Sequence, residues 1–238
     1  MNEEEIAEEI NKQFHDGVRK WMADENSKRD MSYFHVSSFV YKCKRKVWYE
    51  AKYSDKVPPL DDASISRMWI GTKLHETPVS DLHEVPVWYE FDGVKLGGRI
   101  DEIMKVDGKT FIIDKKFVNY IPRTPNDHYI EQVKFYAALY RLNTGTLVDG
   151  IGIHYYKPTV SYKDEDQKMR EKTFVRFVDE EEILKFEKYI EEMLKDIDYS
   201  LKNDVLPEPM ASWYCEHCPF MASCLVNKKE FIARSDGK

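Results

Sequence analysis

A chain of 238 residues, 42% of them hydrophobic, can bury one sizeable core with small appendages at most. No run of about 18 apolar residues occurs, so no membrane-spanning helix is expected, and the acidic start "MNEEEIAEEI" lacks the basic-then-apolar order of a secretory signal; the reading is a cytoplasmic protein. A net charge of -7 argues against a generic basic coat for nucleic acid, though it leaves local basic patches open.

Residues 3 to 22 carry Ile6, Ile10, Phe14, Val18 and Trp21 at helical spacing, which predicts an amphipathic helix packed on the domain. A second helix is expected over 37 to 53, opening at a serine cap and containing Cys43 within the basic run Lys42, Lys44, Arg45 and Lys46. Such a run is usually a solvated helix face; the functional alternative is contact with DNA phosphates. "SDKVPPLDD" reads as a loop, and Asp62 caps a third helix ending before Pro78. His75 falls at its end, where an imidazole either steadies the helix terminus or completes a metal site otherwise built from carboxylate oxygens.

Three strands follow, over 84 to 91, 94 to 106 and 110 to 118, joined by Asp92-Gly93 and Asp107-Gly108. Asp-Gly is a strong signal for a two-residue turn because glycine tolerates positive φ. Counting outward from the second turn, Val106 faces Lys109 and Asp101 faces Asp114. Opposed side chains have Cβ atoms ~5 Å apart, and two unit charges at that distance repel by about 3 kcal/mol at an effective dielectric near 20. Lys116, two residues beyond Asp114, shares its face. Two carboxylates and a lysine so placed can hold a divalent cation and steady developing negative charge. A hairpin whose charges merely face water is the plainer alternative.

Pro122 and Pro125 keep the next stretch out of helix, and Asn126 starts one that runs to about Leu142. Gln132 and Tyr136, four apart, share one of its faces. "VDGIGIHYYK" and "KTFVRFV" are strands separated by a polar loop over 158 to 171, and a long acidic helix occupies about 180 to 203. The cysteines are Cys43, Cys215, Cys218 and Cys224, the last three in a C-x2-C-x5-C cluster. Four thiolates in a reducing compartment suit an iron–sulfur cluster or a tetrahedral zinc, and spacing does not choose between them. Either would clasp the helix of Cys43 to the C-terminal part. The order of elements gives a mixed α/β core with helices on the faces of the sheet.

His75, "GGRID" with Asp101, "IIDKK" with Asp114 and Lys116, and "QVKFY" with Gln132 and Tyr136 together resemble the RecB-type branch of the PD-(D/E)XK nucleases. With Cys43 before this core and "CEHCPFMASC" after it, the chain is similar to the iron–sulfur subset, which includes the CRISPR-associated RecB-like exonucleases, the Cas-four family. The likeness covers roughly residues 35 to 226. Arg-Ile-Asp here lacks the proline of the superfamily label, and the N-terminal helix lies outside the shared region.

The resemblance implies a restriction-endonuclease-like core with an iron–sulfur clasp joining its N- and C-terminal parts. It divides the chain into an N-terminal helical extension (1–32), a nuclease core (33–206) and a C-terminal cysteine-rich segment (207–238). His75, Asp101, Asp114 and the backbone carbonyl of Lys115 would bind Mg²⁺ or Mn²⁺. Lys116 would position or activate the attacking water, with Gln132 and Tyr136 orienting Lys116 or the DNA strand. The four cysteines would hold [4Fe-4S] more readily than [2Fe-2S]. The implied activity is metal-dependent DNA cleavage at single strands or single-stranded ends, with a CRISPR integrase as a candidate partner and trimming of CRISPR spacer precursors as a candidate task. Viral or recombination end-resection uses the same chemistry. A non-catalytic iron–sulfur module binding DNA or a partner stays open, as does a homo-oligomer.

Overall fold

The structure, a computed structural model, describes residues 3–27, 32–57, 62–157 and 170–230. Its centre is a meander set by two tight turns. Asp92 and Gly93 adopt φ of +48° and +88°, and Asp107 and Gly108 adopt +50° and +74°. Two successive positive φ values define the turn whose twist matches that of paired strands. The turns join β2 (Leu82–Phe91), β3 (Val94–Val106) and β4 (Lys109–Phe117) in antiparallel register, with Phe91 opposite Val94 and Val106 opposite Lys109 as the spacing requires.

Helix α5 (Asp127–Thr144) then crosses over so that β5 (Gly150–Lys157) lies parallel to β4, and β6 (Arg170–Phe177) returns antiparallel. A two-residue strand, β1 (Phe34–His35), pairs parallel to the start of β3 on the edge that β4 takes further along, across from β2, giving a six-stranded mixed sheet. The main core lies between this sheet, α5 and α6 (Glu180–Lys202), where Ile100, Ile112, Ile151, Leu139 and Leu194 are fully buried. Asp179 caps α6, accepting a 2.8 Å hydrogen bond from the Glu182 N–H. Helix α4 (Asp62–His75) ends beside β4. The fold is therefore a mixed sheet flanked by helices. Among the described residues no helix is long and apolar enough to cross a membrane.

Two expectations are corrected. The helix expected over 37 to 53 is split into α2 (Val36–Phe39) and α3 (Lys44–Tyr53), because Lys42 adopts φ of +56° and turns the chain just before Cys43. The N-terminal helix, α1 (Glu3–Ser27), is longer than expected and packs only through its second half. Met22 is buried and Trp21 lies against the Lys73 ammonium, whereas Ile6, Ile10 and Phe14 are exposed. The loop expected over 158 to 171 falls outside the described residues as far as 169.

Candidate active site

The strand pairing that sets the acidic pair stops one step short of it. The last β3–β4 partners are Glu102 and Ile113. At the next position the N–H of Lys115 is taken by the Asp101 side chain instead, at 2.6 Å from Oδ2. Asp101 and Asp114 are both buried, and the Asp101 charge helps to raise the pKa of Asp114. Burial is the larger cause, and together they push Asp114 up to about 6, even with Lys116 pulling the other way.

Lys116 Nζ sits 2.7 Å from Asp114 Oδ2, in line with the shared face expected of positions two apart on a strand. The ammonium approaches off the hydrogen-bonding direction, so both Asp114 oxygens lack a hydrogen-bond partner among the described residues. Burial would strip the Lys116 proton, but Asp114 and Asp101 outweigh it and leave that pKa above its ordinary value.

His75, at the end of α4, faces the same acids: Nδ1 is 2.9 Å from Asp101 Oδ2, again without hydrogen-bond geometry. The His75 pKa is lowered by burial and raised, with the larger net effect, by Asp101. What places His75 is the neighbouring buried pair of Lys115 and Glu102, 2.8 Å apart. Lys115 Nζ also donates to the carbonyls of Thr77 at 2.7 Å and His75 at 3.3 Å, and Glu102 accepts from the N–H groups of Val79 and Ser80 and from the Ser80 hydroxyl. A buried charge pair is tolerable when its remaining hydrogen bonds are met. Here they tie the turn after α4 to the sheet.

On α5, the amide of Gln132 donates to the Tyr136 hydroxyl at 3.2 Å. Tyr136 is buried, and burial followed by the Asp114 charge holds its pKa well above the tyrosine range. Its ring fits because position 98 is glycine: a Cβ there would lie 2.9 Å from Tyr136 Cε1.

Among the described residues, one set of three metal-ligand side chains has donor atoms within 4.8 Å of one another: His75, Glu84 and Asp101. Carboxylate oxygens and one imidazole suit a hard divalent cation. The buried oxygens of Asp114, met by the Lys116 ammonium but by no well-formed hydrogen bond, fit the same occupant, since an ionised carboxylate is costly to bury without donors. The sequence matches the profile of the PD-(D/E)XK nuclease superfamily over residues 7–225.

The chain belongs to the PD-(D/E)XK nuclease superfamily. Among solved structures, the crystal structure of SSO0001 superposes with a TM-score of 0.57 at 18% identity, covering 91% of this chain and 97% of that one. That likeness speaks for the fold alone. A protein from Eubacterium rectale with a provisional exonuclease assignment reaches a TM-score of 0.39 at 14% identity, over 91% of this chain and 82% of its own, too loose a superposition to add weight. No curated protein matches the sequence.

Membership in this superfamily makes the chain a nuclease by family. Its members use divalent metals, in accord with the donor set here. Glu84 escaped the reading of the sequence, yet counting back from Asp92-Gly93 by the rule applied to the other turn puts it opposite Asp101. The β2–β3 pairing keeps that register on both sides of Glu84, which itself adopts φ of +50°. Glu102 and the Lys115 side chain were also passed over, since nothing local marks them as partners.

The basic run is turned inward. Arg45 is buried and donates to the carbonyls of Pro207 at 2.6 Å and Cys224 at 3.4 Å. Lys46 is buried, 2.5 Å from Glu50, with its ammonium near the rings of Tyr41 and Tyr214. Lys42 pairs with Glu131 at 2.8 Å and Lys44 with Asp196; these two are 39% and 38% exposed.

The four cysteines gather at one end of the molecule. Cys43 is the N-cap of α3, and the pKa of Cys218 is raised by burial and by the nearness of Cys43 and Cys215. Cys218 and Cys224 flank the small core of Trp48, Tyr49 and Phe220. Unlike the acidic centre, no three of the four sulfurs lie within 4.8 Å of one another.

Proposed function

We propose that the chain is a Mg²⁺- or Mn²⁺-dependent deoxyribonuclease that shortens single-stranded DNA or single-stranded DNA ends. Asp114 carries the reading: an aspartate with two buried oxygens lacking hydrogen bonds, beside Lys116 and near Asp101, has a use in a cation site and a cost without one. His75, Glu84, Asp101 and Asp114, with the Lys115 backbone carbonyl that the resemblance adds, would hold the cation. Bound there, a divalent cation supplies Lewis-acid polarisation of a phosphoryl oxygen and a water of lowered pKa.

The chain's own groups do the rest. Lys116 keeps its proton beside two acids, so its role is to place positive charge against the scissile phosphate and fix the attacking water. Tyr136 accepts from Gln132 and keeps its own proton, leaving one O–H to orient a neighbour in the site. The test is digestion of end-labelled single- and double-stranded DNA with Mn²⁺, with Mg²⁺ and with chelator. Metal-dependent shortening of single strands, lost in Asp101→Ala, Asp114→Ala and Lys116→Ala, is the expected result. Binding without shortening under every metal and pH condition would instead make the chain a DNA-binding module.

Cys43, Cys215, Cys218 and Cys224 are read as ligands of an iron–sulfur cluster, [4Fe-4S] ahead of [2Fe-2S]. Anaerobic purification should yield brown protein; colourless protein with one stoichiometric zinc would refute the cluster and leave the nuclease untouched. Trimming of CRISPR spacer precursors beside an integrase is the cellular task the sequence resemblance favours, and a partially single-stranded spacer precursor is the substrate that tests it against a generic resection substrate.

A further inference from the structure

A series of aromatic rings leads away from the acidic centre toward the cysteines. Lys116 Nζ lies 4.9 Å from the centre of the Tyr129 ring. Tyr129 is 3.9 Å from His128, which is 5.4 Å from Trp213 and stacks at 6.0 Å on Tyr41. Tyr41 in turn stacks at 3.7 Å on Tyr214. The rings come from three separate stretches: the turn after α2, the first turn of α5, and the 3₁₀ turn Trp213–His217 that holds Cys215.

Packing alone accounts for Tyr41 and Tyr214, which are half-buried, but not for Trp213. Its indole is 60% exposed, at the edge of an open cavity of about 420 Å³ that Tyr41, His128, Lys42 and Lys134 also line. An indole left so open to water loses most of the burial that favours it in a core.

We propose that Tyr129, His128, Trp213 and Tyr41 form a stacking platform for the unpaired bases of a nucleic-acid strand whose reacting phosphate lies at Lys116. The inference rests on the nuclease reading and extends it by giving the strand a path and the site a reason to prefer unpaired bases. Base-on-ring stacking is tolerant of sequence because every base has a π face. The cavity's cations are already engaged: Lys42 and Lys134 share the carboxylate of Glu131, at 2.8 and 3.2 Å, and Asp127 lines the same wall. Few free cations mean few phosphate contacts, so affinity here should depend on bases more than on salt.

The experiment is titration of the full-length protein, in chelator so that nothing is cut, with a dodecamer of thymidylates, a dodecamer of uridylates, an abasic strand of equal length and a blunt duplex. Tryptophan fluorescence and electrophoretic mobility report binding. The thymidylate strand should quench fluorescence and bind at least about tenfold more tightly than the abasic strand, with a shallow salt dependence. Trp213→Ala and His128→Ala should each weaken it by about tenfold, while Trp213→Phe retains it. Uridylate binding like thymidylate places recognition in the bases' π faces alone; weaker uridylate binding shows that the platform also reads the thymine methyl or excludes the 2′-hydroxyl. Equal affinity for base-bearing and abasic strands, with the variants unchanged in affinity and in thermal unfolding, would overturn the platform without touching the cleavage reading. Base-dependent quenching in a protein that cuts nothing when metal is restored would keep the platform and overturn the nuclease.

Discussion

His75 Nδ1 and the Lys115 backbone N–H both converge on a single oxygen, Oδ2 of Asp101, at 2.9 and 2.6 Å. Only the second contact is a hydrogen bond. The imidazole nitrogen faces the acid pair, where it and Asp101 can donate to one cation.

A proton and a cation compete for that nitrogen. Asp101 holds the His75 pKa above its ordinary value, so Mn²⁺ affinity should fall as pH drops from 8 toward 6. Asp114, titrating near 6, steepens the loss at the acid end. Isothermal titration calorimetry at several pH values measures it. In His75→Gln the affinity should be lower throughout, and the loss should begin at a lower pH.

Asp114 should cost the metal-free protein stability at neutral pH. Its folded pKa of about 6 lies above the free value of 3.8, so its favourable contribution is present below 3.8 and is lost as pH rises through 6. A shift of that size corresponds to about 3 kcal/mol. Asp114→Asn should therefore unfold at a higher temperature than the parent in chelator at pH 7.5, by an amount that vanishes near pH 4. It should also cut no DNA. Added Mn²⁺ should raise the melting temperature of the parent and leave that of the variant nearly unmoved.

The buried Lys115–Glu102 pair should be unforgiving of single changes. Lys115→Met leaves the Glu102 charge buried with only the neutral donors of Val79 and Ser80, at a cost of about 3–5 kcal/mol. Adding Glu102→Gln removes that charge while keeping an acceptor for the N–H groups of Val79 and Ser80, so the double variant should recover part of the loss. Urea unfolding of the three variants makes the comparison. Mn²⁺ affinity should stay low in the double variant, because Lys115 no longer reaches the carbonyls of His75 and Thr77.

Gly98→Ala should act through Tyr136. The new methyl would lie 2.9 Å from a buried ring that must shift to admit it, and overpacking of this kind costs about 1–3 kcal/mol. Cleavage should fall by more than the stability loss explains. Trimming the ring in Gly98→Ala/Tyr136→Leu should restore the melting temperature but not the rate.

The hairpins were legible because their signals are local. Asp92-Gly93 and Asp107-Gly108 each force a turn by backbone chemistry, and a turn fixes every register that follows from it. The same counting reaches Asp101, Asp114 and, from the other turn, Glu84. The break at Lys42 was not legible, since a lysine at positive φ leaves no mark in composition and the flanking apolar residues continue a helical rhythm. Nor was the inward turn of Arg45 and Lys46: their partners at Pro207, Cys224 and Tyr214 come from far along the chain. Periodicity found α1 but not its exposure, because a stripe at helical spacing does not say whether a surface exists to receive it.

Helix α3 has a consequence for how the protein is made. Arg45 and Tyr49 each bond to backbone carbonyls 179 positions later, at Cys224 and Lys228, and Phe220 stacks on Tyr49 at 5.3 Å. During synthesis Trp48 and Tyr49 leave the ribosome long before the residues that enclose them, so this pocket of aromatics stays open until residues 220 to 228 have emerged. Contacts so distant in sequence close slowly, after the local meander has formed. Assembly of the cysteine-rich part should be among the last events in folding, and it is this stage that chaperones would govern.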